Sequence, residues 1–187
     1  MIVIIAVCVV VLFETVLLLL LLRALGELRQ RGKLPTSRAI QYPDIGGLAV
    51  GEQAPLFVAK YLDGNEFRME HLHGHHILAF VEPGCSACNG AMSALNKLMQ
   101  ERPEFTVVAV GGLDQRLNRA YAIEFGAHMP ILTPDLDVGN ELYRIPMVPF
   151  VFVLDEASII KARGVVNHFG HLRDILAEAS VLIPVVH

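Results

Sequence analysis

The sequence predicts an α/β fold, a central mixed β-sheet flanked by helices, joined to an N-terminal membrane-spanning helix. Two patterns carry this. Buried-strand and amphipathic-helix signatures alternate from His76 to Phe125, and an apolar run of 21 residues fills Ile2–Leu22. A third feature, the pair Cys85 and Cys88 at the start of a helix immediately after the strand His76–Val81, marks where chemistry is expected. A chain of 187 residues holds one domain and an appendage rather than two independent cores. Hydrophobic residues make up 53% and charged residues 18%, and a mean hydropathy of +0.49 implies that part of the chain meets lipid. A net charge of −4 supplies no field for a phosphate backbone, so no nucleic-acid partner is expected.

The run IVIIAVCVVVLFETVLLLLLL would extend about 31 Å as a helix, matching a hydrocarbon core of about 30 Å. No basic residue precedes it and Arg23 follows it directly, which reads as an uncleaved anchor over residues 1–22 rather than a cleavable signal. Cys8 reads as a small apolar member of that helix. Glu14 is its costly exception, either tolerated by the flanking hydrophobicity or in contact with another membrane subunit. Residues 23–47 begin with helical character and then collect Pro35, Pro43, Gly46 and Gly47, a juxtamembrane helix followed by a linker. Arg23, Arg29, Arg31, Lys33 and Arg38 lie after the span, so the positive-inside rule places the rest of the chain in the cytoplasm.

The folded domain is expected over residues 48–180, with a tail at 181–187. Short apolar stretches on either side of Asp63-Gly64 predict a hairpin. His76–Val81 (HILAFV) predicts a buried strand, and Ala91, Met92, Leu95, Leu98 and Met99 give helical spacing to Cys85–Glu101, which stops before Pro103. Phe105–Val110 predicts a second strand, Asp114–Phe125 a second helix capped by Asp114, and Pro130–Leu132 a short strand. Strand–helix–strand units of this kind make a parallel sheet portion with right-handed crossovers. Phe150–Leu154 and Ile159–Val165, separated by a turn at 155–158, predict an antiparallel hairpin, and His168–Ser180 a closing helix.

In EPGCSACNG the two cysteines share the first turn of a helix and can approach disulfide geometry. The unpaired N–H groups and positive dipole end of a helix stabilise a thiolate there, which selects Cys85 as nucleophile and leaves Cys88 to attack a Cys85 mixed disulfide. A zinc or copper site is the competing reading, but a single pair leaves two ligand places that only His71, His73, His75 or His76 could fill. The HLHGHH stretch itself reads as a solvated loop, and neither a metal nor a cofactor is expected.

The motifs Ala54-Pro55-Leu56-Phe57, Leu62-Asp63-Gly64, Cys85 to Cys88, and Val148-Pro149-Phe150 with Asp155 occur in an order that resembles the thioredoxin superfamily. The resemblance is to its membrane-anchored TlpA/ResA-type branch, and the anchor with LLRALGELRQRGKLP is similar to the MauD-type proteins of methylamine utilisation. It implies a thioredoxin-like fold and a cis-proline at Pro149, with Pro146 as rival, whose preceding residue Val148 pairs with an extended substrate segment. It also implies a buried acid six residues before the first cysteine. That position is Ala79, which leaves Glu82 as the candidate for proton transfer to the second thiol.

The expected function is a membrane-anchored thiol–disulfide oxidoreductase that forms or rearranges disulfides in a periplasmic partner, such as a methylamine dehydrogenase subunit. The alternatives are a ResA-like reductase for cytochrome c maturation and a copper-binding assembly factor. Expected partners are a protein substrate with cysteines, membrane lipid around the N-terminal helix, and a membrane redox partner. The expected place is the inner membrane, single-pass, with the catalytic domain in the periplasm against the charge rule, because disulfides persist there.

Overall fold

The computed structural model describes residues 46–182, with side chains to Ser180, and Glu14 alone, in helical conformation, among residues 1–45. The expected anchor, most of the linker and the tail beyond Leu182 lie outside the described residues. Among the described residues no helix is long and apolar enough to cross a membrane.

The elements are β1 (Val58–Lys60), β2 (Glu66–Arg68), a 3-10 turn (Met69–His71), β3 (His76–Phe80), α1 (Ser86–Glu101), β4 (Thr106–Val110), α2 (Gln115–Glu124), β5 (Ile131–Pro134), α3 (Val138–Glu141), β6 (Phe150–Leu154), β7 (Ile160–Val165) and α4 (Phe169–Leu182). The strands form one sheet in the order β2-β1-β5-β4-β3-β6-β7. β3, β4 and β5 are parallel neighbours, whereas β6 pairs antiparallel with β3, and β1 antiparallel with β5. The mixed sheet therefore follows from crossovers through α1 and α2 and hairpins at both edges.

Both faces of β3 and β6 are covered, which is why HILAF and FVFVL read as continuous apolar runs rather than alternating ones. Successive residues still point to opposite faces. Ile77, Ala79, Val107, Ala109, Val151 and Val153 pack under α1 and α4. Leu78, Phe80, Val108, Phe150 and Phe152 face a second core built with Phe57, Phe67 and Tyr143. Phe80, Phe152 and Tyr143 interlock there, with ring centroids 5.0 to 6.0 Å apart. The Tyr143 hydroxyl donates to the Pro55 carbonyl at 2.9 Å, so this ring stays satisfied while buried.

Several expectations shift. The first hairpin has a five-residue connection, Tyr61–Asn65, because Asp63 Oδ1 accepts the Asn65 N–H at 2.9 Å and Tyr61 bonds Asn65 across the loop mouth. The third parallel strand is Ile131–Pro134 rather than Pro130–Leu132, since Pro134 pairs with Ala59 of β1. α3, with Asp137 as its cap, and the turn at Met69–His71 are single-turn elements too short to leave a periodic signal. The HLHGHH stretch is not uniformly solvated. His71 and His73 are exposed, but His76 opens β3 fully buried, its Nδ1 2.8 Å from the Gly74 carbonyl oxygen and its Nε2 3.4 Å from Ser158 Oγ. That burial holds the imidazole below its usual range. The turn at 155–158, over eighty residues along the chain, supplies this cover.

Candidate active site

The local sequence EPGC builds the approach to the cysteines. Cys85 N–H donates to the Glu82 carbonyl at 3.1 Å, with Pro83 and Gly84 between them and Gly84 at φ +87°, the signature of a type II turn. Only glycine takes that φ without strain, so the turn delivers Cys85 to the N-cap of α1. The expected helix start moves by one residue: Cys85 is the cap and Ser86 the first helical residue. The Cys88 N–H donates to the Cys85 carbonyl at 3.0 Å and also reaches Cys85 Sγ at 3.4 Å, so the positive dipole end of the helix is directed at the sulfur.

The two thiols differ sharply. Cys85 is half-buried and Cys88 is fully buried on the inner face of α1 with Ala91, Met92 and Leu95, and both are free thiols. Burial pushes the Cys88 thiol up to about 12, with Cys85 and the charge of Glu82 adding to the rise. From across the sheet, the Val148–Pro149 peptide is cis, and the Val148 carbonyl oxygen lies 3.9 Å from Cys85 Sγ, close enough to accept its S–H. Pro146, the rival proline, is exposed, and the cis bond lies at Pro149, directly before β6.

No family model matches the chain. Among curated proteins it is 30% identical over 152 residues to the thiol-disulfide oxidoreductase ResA of Geobacillus thermodenitrificans, covering 79% of this chain and 83% of that one. This chain belongs to the thioredoxin-like thiol–disulfide oxidoreductases. It is also 25% identical over 166 residues to the methylamine utilization protein MauD of Methylorubrum extorquens, covering 86% of this chain and 77% of that one. The thioredoxin domain of a Bacteroides vulgatus thiol-disulfide oxidoreductase shares the fold, with TM-score 0.61 and 20% identity over 68% of this chain and 97% of that one.

In this oxidoreductase the position implied to carry a buried acid is Ala79, packed in the same core as Cys88. Glu82 stands beside a cleft of about 410 Å³ lined also by Gly112, Asp114, Asp137 and Val138. Its carboxylate lies so close over Gly112 that a Cβ there would stand 2.6 Å from Oε1. Desolvation in the cleft, with the Asp137 carboxylate nearby, holds Glu82 above the usual carboxylate range. Among the described residues no three His, Cys, Asp or Glu side chains converge as a metal site. Two residues near the cysteines escape sequence reasoning. Gly90 in α1 lies against the Asn167 backbone, and Tyr121 of α2 is buried in the core that holds Cys88. The only sequence signal for Tyr121 is its i, i+4 spacing with Phe125, which marks a buried helix face and nothing more.

Proposed function

We propose that Cys85 attacks a disulfide or receives a thiolate, that Cys88 resolves the mixed disulfide, and that the Val148–Pro149 edge holds an extended segment of the partner protein. One observation carries this reading, the asymmetry of the pair. Cys85 Sγ is accessible, takes the Cys88 N–H and faces the Val148 carbonyl, whereas Cys88 is buried with its thiol pushed up to about 12. An accessible sulfur supported by helix N–H groups is the better attacking group, and a buried thiol acts only on a sulfur delivered beside it. Backbone pairing at Val148 would orient the partner disulfide along its line of attack. Glu82, with an affinity for protons above that of an ordinary carboxylate, is the acceptor we assign for the Cys88 proton. Replacing Cys88 with Ser should accumulate a partner joined through Cys85, visible on non-reducing gels, and replacing Cys85 should trap none. The reverse pattern would overturn the roles.

We further propose that Ile2–Leu22 anchors the enzyme as a single pass in the inner membrane, with the catalytic domain in the periplasm. The length and apolarity of the run support a span, and Arg23, Arg29, Arg31 and Lys33 can lie at the lipid headgroups with their stems buried. Protease added to intact spheroplasts should digest the domain, and protection until permeabilisation would place it in the cytoplasm. The MauD relative supports a partner whose disulfides are formed or rearranged, such as a methylamine dehydrogenase subunit. The ResA relative supports with equal weight a reductase for cytochrome c maturation, served by a membrane electron donor. A reduction potential near ~−120 mV would favour the first and one near ~−270 mV the second.

A further inference from the structure

α1 and α2 follow the parallel strands β3 and β4 and contribute to the same core, so they run side by side from the active-site end of the sheet. Their register is pinned by Asn96. Its Nδ2 donates to the carbonyls of Phe125 and Gly126 at 3.0 and 3.1 Å, and its Oδ1 accepts the His128 N–H at 2.9 Å. Cys88 lies two turns before Asn96. Tyr121 lies one turn before Phe125, with the two rings 4.8 Å apart. A long helical side chain leans over the turn N-terminal to its own Cα, which carries the phenol toward the level of Cys88. Tyr121 is 3% exposed, and its hydroxyl has no hydrogen-bond partner among the described residues. Leaving a buried donor unpaired costs free energy, so the group invites a function in a state other than the resting dithiol.

We propose that Tyr121 is a further catalytic residue, whose hydroxyl donates a hydrogen bond to the Cys88 sulfur whenever exchange places negative charge there. This rests on the roles given above to Cys85 and Cys88. When the dithiol reduces a partner, Cys88 gives its proton to a base and its sulfur lone pair attacks Cys85 Sγ. The Cys85–Cys88 bond forms, the bond from Cys85 to the partner breaks, and the partner sulfur leaves with the electron pair and takes up a proton. When the enzyme disulfide oxidises a partner, the partner thiolate attacks Cys85 Sγ and Cys88 leaves as the thiolate. Cys88 is anionic in both directions, so the hydroxyl serves either redox poise. Burial and the two sulfurs hold the Tyr121 hydroxyl well above the usual phenol range, so it keeps its proton and acts as a donor only.

The test uses the reduced full chain carrying Cys8→Ser, mixed by stopped flow with a stoichiometric amount of 5,5′-dithiobis(2-nitrobenzoate). The first thiolate released reports attack by Cys85, and the second reports resolution by Cys88. Tyr121→Phe should slow the second phase about tenfold, equivalent to ~1.4 kcal/mol at the barrier. The first phase should stay within about twofold and the Tm should not fall, because Phe removes only an unpaired hydroxyl. An unchanged second phase overturns the proposal, and so does equal slowing of both phases with a lowered Tm, which would mark a packing role. Cys88→Ser must keep the fast first phase and Cys85→Ser must lose it. A fast first release that survives in Cys85→Ser would show that the cysteine roles themselves are wrong, a failure separate from that of Tyr121.

Discussion

Gly90→Ala should destabilise the enzyme, although the same change in most helices stabilises them. In a helix interior alanine is favoured over glycine by about 0.5–1 kcal/mol. At this position, in the second turn of α1, an added Cβ would stand 2.0 Å from the Asn167 carbonyl oxygen. The closest ordinary C···O approach is about 3.3 Å, so α1 and the connection from β7 to α4 must part by more than about 1 Å. The obstacle is backbone, and no rotamer change can relieve it. Overpacking of this kind costs about 1–3 kcal/mol, and against the helix-propensity gain the net loss should be about 1–2 kcal/mol. At roughly 4 °C per kcal/mol for a domain of this size, the Tm should fall by about 4–8 °C. Near-UV circular dichroism of the reduced protein during heating reads this directly. The exchange rate should fall with it, since α1 carries both cysteines. A Tm that is unchanged or raised would show that the α1 contact with Asn167 is slack and the clash argument wrong.

The Cys88 thiol, raised to about 12 in the folded dithiol, should make the reduced enzyme lose stability as pH climbs from its ordinary value near 9 toward 12, because the unfolded chain releases that proton first. Tyr121 and Tyr143, also held high by burial, act in the same direction. Alkaline denaturation of Cys88→Ala should therefore be shallower than that of the parent, and equal slopes would count against the shift. Arg163→Met should release residues 46–48, whose carbonyls all accept from the Arg163 guanidinium at 2.6 to 2.7 Å. Amide exchange at Gly47 and Leu48 should accelerate by at least about tenfold if those bonds hold the segment down. Asp137→Asn should lower the pKa of Glu82 toward the usual carboxylate range by removing the neighbouring negative charge, measurable by carboxyl ¹³C titration, and a rise would refute the pairing.

Local chemistry in the sequence determined where the elements lie and where the reactive sulfurs would be. The periodicity of Ala91, Met92, Leu95, Leu98 and Met99 marks α1, and Asp114 caps α2 through Arg116 and Leu117. These signals rest on contacts between residues no more than a few turns apart, so they survive without knowledge of the fold. The placement of β1 beside β5, the burial of His76 under a turn near residue 158, and the approach of Val148 to Cys85 across 63 residues depend on which surfaces meet. So do the contact of Gly90 with Asn167 and the unpaired hydroxyl of Tyr121. Propensity and periodicity state which face of an element is apolar, but not which other face will cover it. Only packing of the whole chain decides that, because the free energy of each pairing depends on all the surface it removes from water.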